Sequence, residues 1–186
     1  MKRRLCLAAA LLCSSLAWAW PSDSVYQLKA ILTDQQGQSL ALDAAQGHPV
    51  LVSMFYTSCE FVCPMLVEAA RATEASLSEA ERRELRVIFV SFDPARDSVA
   101  VLAAKARERG VDGTRWHLAR TDPASVRKIA ALLKFQYRAL PNGDFNHSGE
   151  LILLDGEGRV AARTSMLAGV DERLLARLKT MLKPAQ

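Results

Sequence analysis

Two cysteines stand close together in the stretch FYTSCEFVCPML (55–66), and no other residues of the chain are better suited to chemistry. Cys59 and Cys63 are separated by three residues. Two thiols at this spacing can close a disulfide, exchange electrons with another thiol pair, or hold a soft metal ion. If a helix begins here, positions i and i+4 bring both sulfurs to one side of its N-terminus, where unpaired backbone N–H groups favour a thiolate.

Each of these roles makes different demands on the rest of the chain. A disulfide across one helical turn closes so small a ring that it constrains the unfolded chain very little. A redox role departs by one residue from the Cys-x-x-Cys spacing of thioredoxin-type oxidoreductases. Two thiolates form a soft half-site that suits copper(I), with zinc as a competitor, although a structural zinc site needs four protein ligands. The pair alone leaves all three roles open.

Three histidines are available as further donors. His48 precedes a predicted strand and His117 lies on a predicted short strand, so a turn residue and a packed residue are expected there. His147 stands in the polar segment PNGDFNHSGELILL (141–154), which leads into a buried strand. In a thioredoxin-like sheet this segment faces the cysteine helix, so His147 is the candidate third ligand, with a surface role as the alternative.

The first 19 residues predict an export signal that is cleaved to give a periplasmic or otherwise exported protein. Basic residues at 2–4 precede a short apolar run, and Ala17-Trp18-Ala19 places small residues at the positions that a signal peptidase reads. We therefore expect cleavage after Ala19. The apolar run has about a dozen residues, whereas a spanning helix needs about 20, so no stable membrane insertion is expected after cleavage.

Removal of residues 1–19 changes what the composition implies. The chain has 24 basic and 20 acidic residues, and three of the basic ones but none of the acidic ones lie in this segment. The net charge therefore falls from +4 to about +1, which argues against nucleic-acid binding. Cys6 and Cys13 leave with the segment, so the mature chain keeps one cysteine pair in an oxidising compartment. Half of all residues are hydrophobic, enough for a single domain over 20–186 without disulfide staples.

The hydrophobic patterns predict an α/β chain with a thioredoxin-like layout, in which helices flank a central mixed sheet. The cysteine pair lies where the first central strand passes into its helix. The predicted segments are a hairpin around Gln36-Gly37, a buried strand over 49–57, a helix over 61–77, a charged surface over 78–84, a strand over 85–93, a helix over 97–110, a short strand within 114–121, a helix over 122–137, a second hairpin over 149–165 and a final helix over 170–182.

A second polar motif, SFDPARDS (91–98), follows the second central strand. Either Asp93 or Asp97 is predicted to cap the next helix, and Arg96 is predicted to pair with one of them. The motif also lies at the carboxyl end of a strand, the edge where α/β proteins build their sites.

Three segments of the chain closely resemble the Sco/SenC family of copper-binding proteins with a thioredoxin fold: GHPVLVSMFYTSCEFVCP, VSFDPARDS and NHSGELILLDGEGRV. The resemblance implies that Cys59, Cys63 and His147 bind copper, as Cu(I) or Cu(II), and that Asp93 lies near the site without being a ligand. One departure is Glu60, because family members usually have proline there.

The resemblance also implies a function and partners. Family members deliver copper to the dinuclear copper centre of cytochrome c oxidase, or reduce the cysteines of that centre. The implied partners are the copper-accepting subunit of a terminal oxidase or another cuproprotein, and a thioredoxin-like reductant.

An alternative function of a different class is that of a thiol-disulfide oxidoreductase. Cys59 and Cys63 would then cycle between dithiol and disulfide, and His147 would only tune the thiolate. The Pro-x-x-x-Thr/Ser-x-x-Cys context of a peroxiredoxin-like peroxidase is absent from the sequence. His147 separates the first two functions, because copper binding needs its imidazole as a ligand and disulfide exchange does not.

Overall fold

A computed structural model describes residues 20–111 and 113–182, so the predicted signal at 1–19 lies outside the described residues. The strands of this part of the chain are β1 (Ile31–Thr33), β2 (Ser39–Ala41), β3 (Val50–Phe55), β4 (Arg86–Ser91), β5 (Trp116–Ala119), β6 (Tyr137–Ala139), β7 (Phe145–His147), β8 (Leu151–Leu154) and β9 (Val160–Thr164). Its α-helices are α1 (Val62–Ala75), α2 (Glu79–Glu84), α3 (Val99–Glu108), α4 (Pro123–Leu132) and α5 (Glu172–Leu182).

The centre of the fold is a five-stranded mixed sheet with the order β5-β4-β3-β8-β9. Strands β3, β4 and β5 run parallel, whereas β8 pairs antiparallel with both β3 and β9. Helix α1 packs against β3 and β8, α3 against β5, and α5 against β9. This is the predicted thioredoxin-like fold, and the predicted hairpins β1–β2 and β8–β9 are both present. Within the described part of the chain, no helix is long and apolar enough to cross a membrane.

Strand β3 carries the cysteine loop and lies at the middle of the sheet. All six of its residues are buried, because β4 and β8 pair with its two edges and side chains cover both faces. The helix that follows buries Leu66, Ala70 and Thr73. Thr73 is the one polar residue in that row, and its hydroxyl donates to the Ala69 carbonyl at 2.8 Å. The loop between β3 and α1 is therefore held at both ends by buried elements.

The charged residues 78–84 lie at the surface as predicted, and residues 79–84 of this segment also form the short helix α2, because Ser78 and Glu81 make a reciprocal capping box at its start. One segment differs from the prediction. The helix predicted over 122–137 ends at Leu132, and Lys134 adopts the left-handed region with a φ of 52°. The chain then turns into a hairpin that was not predicted.

This hairpin consists of β6 and β7 and forms a two-stranded sheet of its own. Tyr137 pairs with His147, and Gly143, with a φ of 83°, lies in the turn. His147 is thus the last residue of a strand rather than part of a polar loop. A β-strand aims its side chains in fixed directions, so the hairpin determines where the imidazole points.

Candidate metal centre

Cys59 and Cys63 lie at the start of α1, as the spacing predicted. Cys59 is partly buried in the loop after β3, and Cys63 is the second residue of the helix, with 5% of its surface exposed. The N-cap residue Phe61 makes no side-chain capping bond. Instead the backbone N–H of Cys63 donates to the Cys59 sulfur at 3.4 Å. The Cys59 sulfur thus accepts a hydrogen bond from the first helical turn, where a negative charge is stabilised.

His147 approaches the pair from the β6–β7 hairpin. Its Nε2 atom lies 3.9 Å from the Cys59 sulfur, and its Nδ1 atom lies 2.8 Å from the Ser148 carbonyl oxygen. A carbonyl oxygen can only accept, so Nδ1 carries the proton and the lone pair of a neutral ring is on Nε2. A neutral imidazole in this orientation therefore presents the Nε2 lone pair to the cysteine pair.

Aromatic side chains surround the imidazole and fix its plane. The ring of Tyr56 meets it edge-on, with centroids 5.6 Å apart. Phe92 lies at 5.3 Å and Phe135 is stacked at 6.2 Å. These contacts leave the ring few alternative orientations, so Nε2 is held toward the sulfurs.

The two sulfurs and a ring nitrogen of His147 all lie within 4.8 Å of one another. This is the predicted third donor brought next to the predicted pair. Two sulfur donors and one imidazole nitrogen at such separations can converge on a single soft metal ion. The cluster opens on a groove of about 510 Å³, whose walls include Glu60, Phe61, Arg96 and Asp144.

The two cysteines differ in protonation. A hydrogen bond from the Cys63 thiol, supported by the Cys63 N–H, lowers the pKa of Cys59 from 9.0 to about 4, against the opposing effect of burial. The same bond to the Cys59 sulfur, with burial, raises the pKa of Cys63. At neutral pH the metal-free pair is therefore one thiolate and one thiol that share a proton along a hydrogen bond.

The SFDPARDS motif is arranged differently from the prediction. The capping residue of α3 is Ser98, whose hydroxyl accepts from the Val101 N–H at 3.3 Å, so neither aspartate caps the helix. Arg96 pairs with Asp93, as one of the two predicted options. The Arg96 guanidinium also lies 5.4 Å above the Phe145 ring and lines the groove, so Asp93 is connected to the groove through Arg96.

Asp97 has a role that sequence reasoning missed. Its side chain is fully buried and accepts hydrogen bonds from the Thr57 N–H at 3.2 Å, from the Thr57 hydroxyl, and from the Ser91 hydroxyl at 2.5 Å. Thr57 precedes Cys59 by two residues. Asp97 therefore ties the cysteine loop to the end of β4.

The other histidines make contacts of their own. His48 lies between Glu84, at 3.1 Å, and Arg86, at 3.3 Å. His117 on β5 places Nδ1 3.3 Å from the carboxylate of Asp34. Neither belongs to the cysteine cluster, in line with the turn and packed positions expected from the sequence.

Solved structures of other proteins are similar to this fold. ScoI of Bradyrhizobium japonicum, solved with copper bound, is 26% identical, with a TM-score of 0.65 over 82% of this chain and 96% of that one. Yeast Sco1, also solved with copper bound, is 18% identical, with a TM-score of 0.69 over 84% of this chain and 88% of that one.

A curated relative from Stutzerimonas stutzeri, whose name refers to copper binding, is 26% identical over 134 residues. The match covers 68% of this chain and 63% of the relative's length, so the chain spans less than two thirds of that relative. The sequence model of one family, SCO1/SenC, matches residues 26–183. The chain belongs to the SCO1/SenC family.

Proposed function

We propose that the protein binds a copper ion through the sulfurs of Cys59 and Cys63 and through Nε2 of His147, and passes that ion on to another protein. The observation that carries this proposal is the convergence of these three donors within 4.8 Å, with Nδ1 of His147 engaged by the Ser148 carbonyl. A thiolate pair with an imidazole suits copper(I) by softness, and it falls short of the four protein ligands of a structural zinc site. Relatives solved with copper bound support the same assignment.

The three donors differ in whether they must lose a proton before they bind a metal ion. Cys59 is already ionised, because its lowered pKa of about 4 lies far below neutral. Cys63 is a thiol and must lose its proton to become a ligand, so binding of copper releases a proton at neutral pH. A neutral His147 ring needs no change of tautomer to bind a metal through Nε2, because the Ser148 carbonyl accepts a hydrogen bond from Nδ1.

The redox state of the pair then controls binding. Neither Cys59 nor Cys63 is in a disulfide in the structure. A disulfide between them would remove two of the three donors, so we expect copper binding by the reduced protein only. A thiol reductant, which we propose to be thioredoxin-like, would keep the pair competent.

The second part of the proposal concerns delivery of the copper ion to a partner protein. We propose that the protein is exported to the periplasm by its N-terminal segment and supplies copper to the copper-accepting subunit of a terminal oxidase or to a related cuproprotein. Cys59 and His147 line the open groove, whereas Cys63 is buried, so an incoming ligand would reach the ion from the Cys59–His147 side.

The alternative of a thiol-disulfide oxidoreductase is favoured by one specific observation, the ionised Cys59 next to the protonated Cys63. The Cys59 thiolate would attack one sulfur of a partner disulfide and release the other as a thiolate. Cys63 would then lose its proton and attack Cys59, giving an intramolecular disulfide and a reduced partner. This reaction uses no donor from His147.

Copper(I) titration in competition with a chelator separates the two functions. The reduced protein is expected to bind one copper per chain, and the oxidised protein none. His147→Ala is expected to weaken binding by 10-fold or more, about 1.4 kcal/mol or more, because one of three ligands is lost, while exchange with a small disulfide continues. His117→Ala is the matched control and should bind as wild type does. Equal binding by the reduced and oxidised forms, or an unchanged affinity in His147→Ala, would refute the ligand assignment.

A further inference from the structure

The hairpin that carries His147 is attached to the fold by few polar contacts. Strands β6 and β7 pair only with each other, and within the described residues no backbone hydrogen bond joins them to the five-stranded sheet. At the base of the hairpin, Ser148 and Gln136 bond to each other, which closes the hairpin but does not anchor it. Its position against the cysteine loop must therefore depend on side chains.

One side-chain hydrogen bond reaches from the tip of the hairpin to the central sheet. The hydroxyl of Tyr56, the first residue after β3, donates to the carboxylate of Asp144. The same carboxylate oxygen accepts the Phe145 N–H at 2.8 Å, and the Asp144 backbone N–H donates to the Asn142 side chain at 3.1 Å. Local hydrogen bonds thus orient Asp144 within the turn, so that its carboxylate is in position to accept the Tyr56 hydroxyl.

The same tyrosine also contacts the imidazole. Tyr56 has 4% of its surface exposed, and its ring packs edge-on against His147 while its hydroxyl holds Asp144, three residues earlier in the hairpin. One end of Tyr56 therefore fixes the turn of the hairpin, and its ring fixes the orientation of the histidine. Tyr56 directly follows the buried strand β3 and belongs to the connection between this strand and the cysteine pair.

We propose that the Tyr56–Asp144 hydrogen bond is a latch that positions the β6–β7 hairpin so that Nε2 of His147 lies at the cysteine pair. Tyr56 and Asp144 are positioning residues in this proposal, which rests on the proposed copper function for its effect on binding. The latch acts through His147, because neither the Tyr56 hydroxyl nor the Asp144 carboxylate is among the three grouped donors. Its loss should weaken the third ligand and leave the two sulfurs in place.

The test is a set of copper(I) affinities measured in the same chelator competition on the full reduced protein. Tyr56→Phe removes the hydroxyl and keeps the ring, and it should weaken binding about five- to tenfold, the effect of one net hydrogen bond. Asp144→Ala should do the same, whereas Asp144→Asn keeps an acceptor oxygen and should recover most of the affinity. Tyr137→Phe removes a hydroxyl from the same aromatic cluster and should change nothing.

The decisive comparison uses a second mutation. In the His147→Ala background, Tyr56→Phe should cause no further loss of affinity, because the ligand through which it acts is gone. A purely structural role of the hydroxyl would weaken both backgrounds equally, and that result would overturn the proposal. So would a Tyr56→Phe variant that binds copper as wild type does.

A metal-free measurement keeps the latch testable apart from the copper function. Amide hydrogen exchange of β6 and β7 should accelerate about five- to tenfold in Tyr56→Phe, while exchange in β3 and β4 stays unchanged. If wild type binds no copper but this local acceleration is seen, the proposed function fails and the latch stands. Unchanged exchange in the hairpin would reject the latch whatever the copper result.

Discussion

The Cys59 thiol is expected to react as a thiolate under acidic conditions in which an ordinary cysteine is inert. Its pKa is lowered from 9.0 to about 4, chiefly by the hydrogen bond from the Cys63 thiol. The reaction rate should therefore stay flat down to about pH 5 and fall only as the pH drops through about 4, because protonation removes the nucleophile there. An ordinary thiol should instead gain rate continuously up to about pH 9.

The size of the difference follows from two opposing effects. At pH 5 a thiol with a pKa of 9.0 is about 0.01% ionised, whereas Cys59 with a pKa of about 4 is about 90% ionised. A less basic thiolate is also a weaker nucleophile, by about 0.4–0.5 of a log unit in rate for each pKa unit, or about 100- to 300-fold here. Cys59 should thus react about 30- to 90-fold faster than the reference thiol at pH 5, and about 100- to 300-fold slower at pH 10.

A dithiodipyridine reagent measures this difference, because its released chromophore reports the initial attack between pH 3 and pH 10. The reduced, metal-free protein is compared with a small model thiol. Cys63→Ala removes the donor that chiefly lowers the pKa of Cys59, so its reaction at pH 5 should slow markedly and its pH midpoint should rise. An unchanged midpoint in Cys63→Ala, or a midpoint near 9 in the wild-type protein, would refute the shared-proton description of the pair.

Two further predictions concern stability, each measured by urea unfolding of the reduced protein. Asp97→Ala should lower the free energy of unfolding by about 2–4 kcal/mol, because the N–H and hydroxyl of Thr57 and the hydroxyl of Ser91 lose their buried acceptor. Asp97→Asn keeps one acceptor and should lose less stability, and a loss below about 0.5 kcal/mol in Asp97→Ala would contradict this role. Lys134→Gly should raise the free energy of unfolding by about 0.5 kcal/mol, because glycine adopts the φ of 52° without steric cost, whereas Lys134→Ala should bring no gain and serves as the control.

The parts of the fold that sequence reasoning predicted are those with strong local signals. The apolar run of β3 and the helical spacing of α1 gave the position of Cys59 and Cys63 directly. The geometry of thioredoxin-like sheets predicts His147 near the pair, and the distance of 3.9 Å between its Nε2 atom and the Cys59 sulfur agrees with that prediction. In each of these cases a few neighbouring residues determine the outcome.

The missed features depend on contacts between distant residues. The sequence pattern predicts a helix up to Tyr137 and a polar loop around His147, although Pro141-Asn142-Gly143 is a turn signal that favours a hairpin. Neither Asp93 nor Asp97 caps α3, because both carboxylates are buried against other partners, and the motif itself does not encode those contacts. Tyr56 finds its partner 88 residues away, so no local pattern could reveal the bond.

The strand order has a consequence for when the site comes into existence during folding. Cys59 and His147 are 88 residues apart, and β8, which follows His147 after three residues, must cross back to pair with β3. The pairing that completes one side of the central sheet therefore also delivers the third donor. A chain arrested before this long-range pairing presents only the two thiols of the cysteine loop. In the proposed copper function, an ion held by all three donors would therefore add its binding free energy to chains that have reached the native topology.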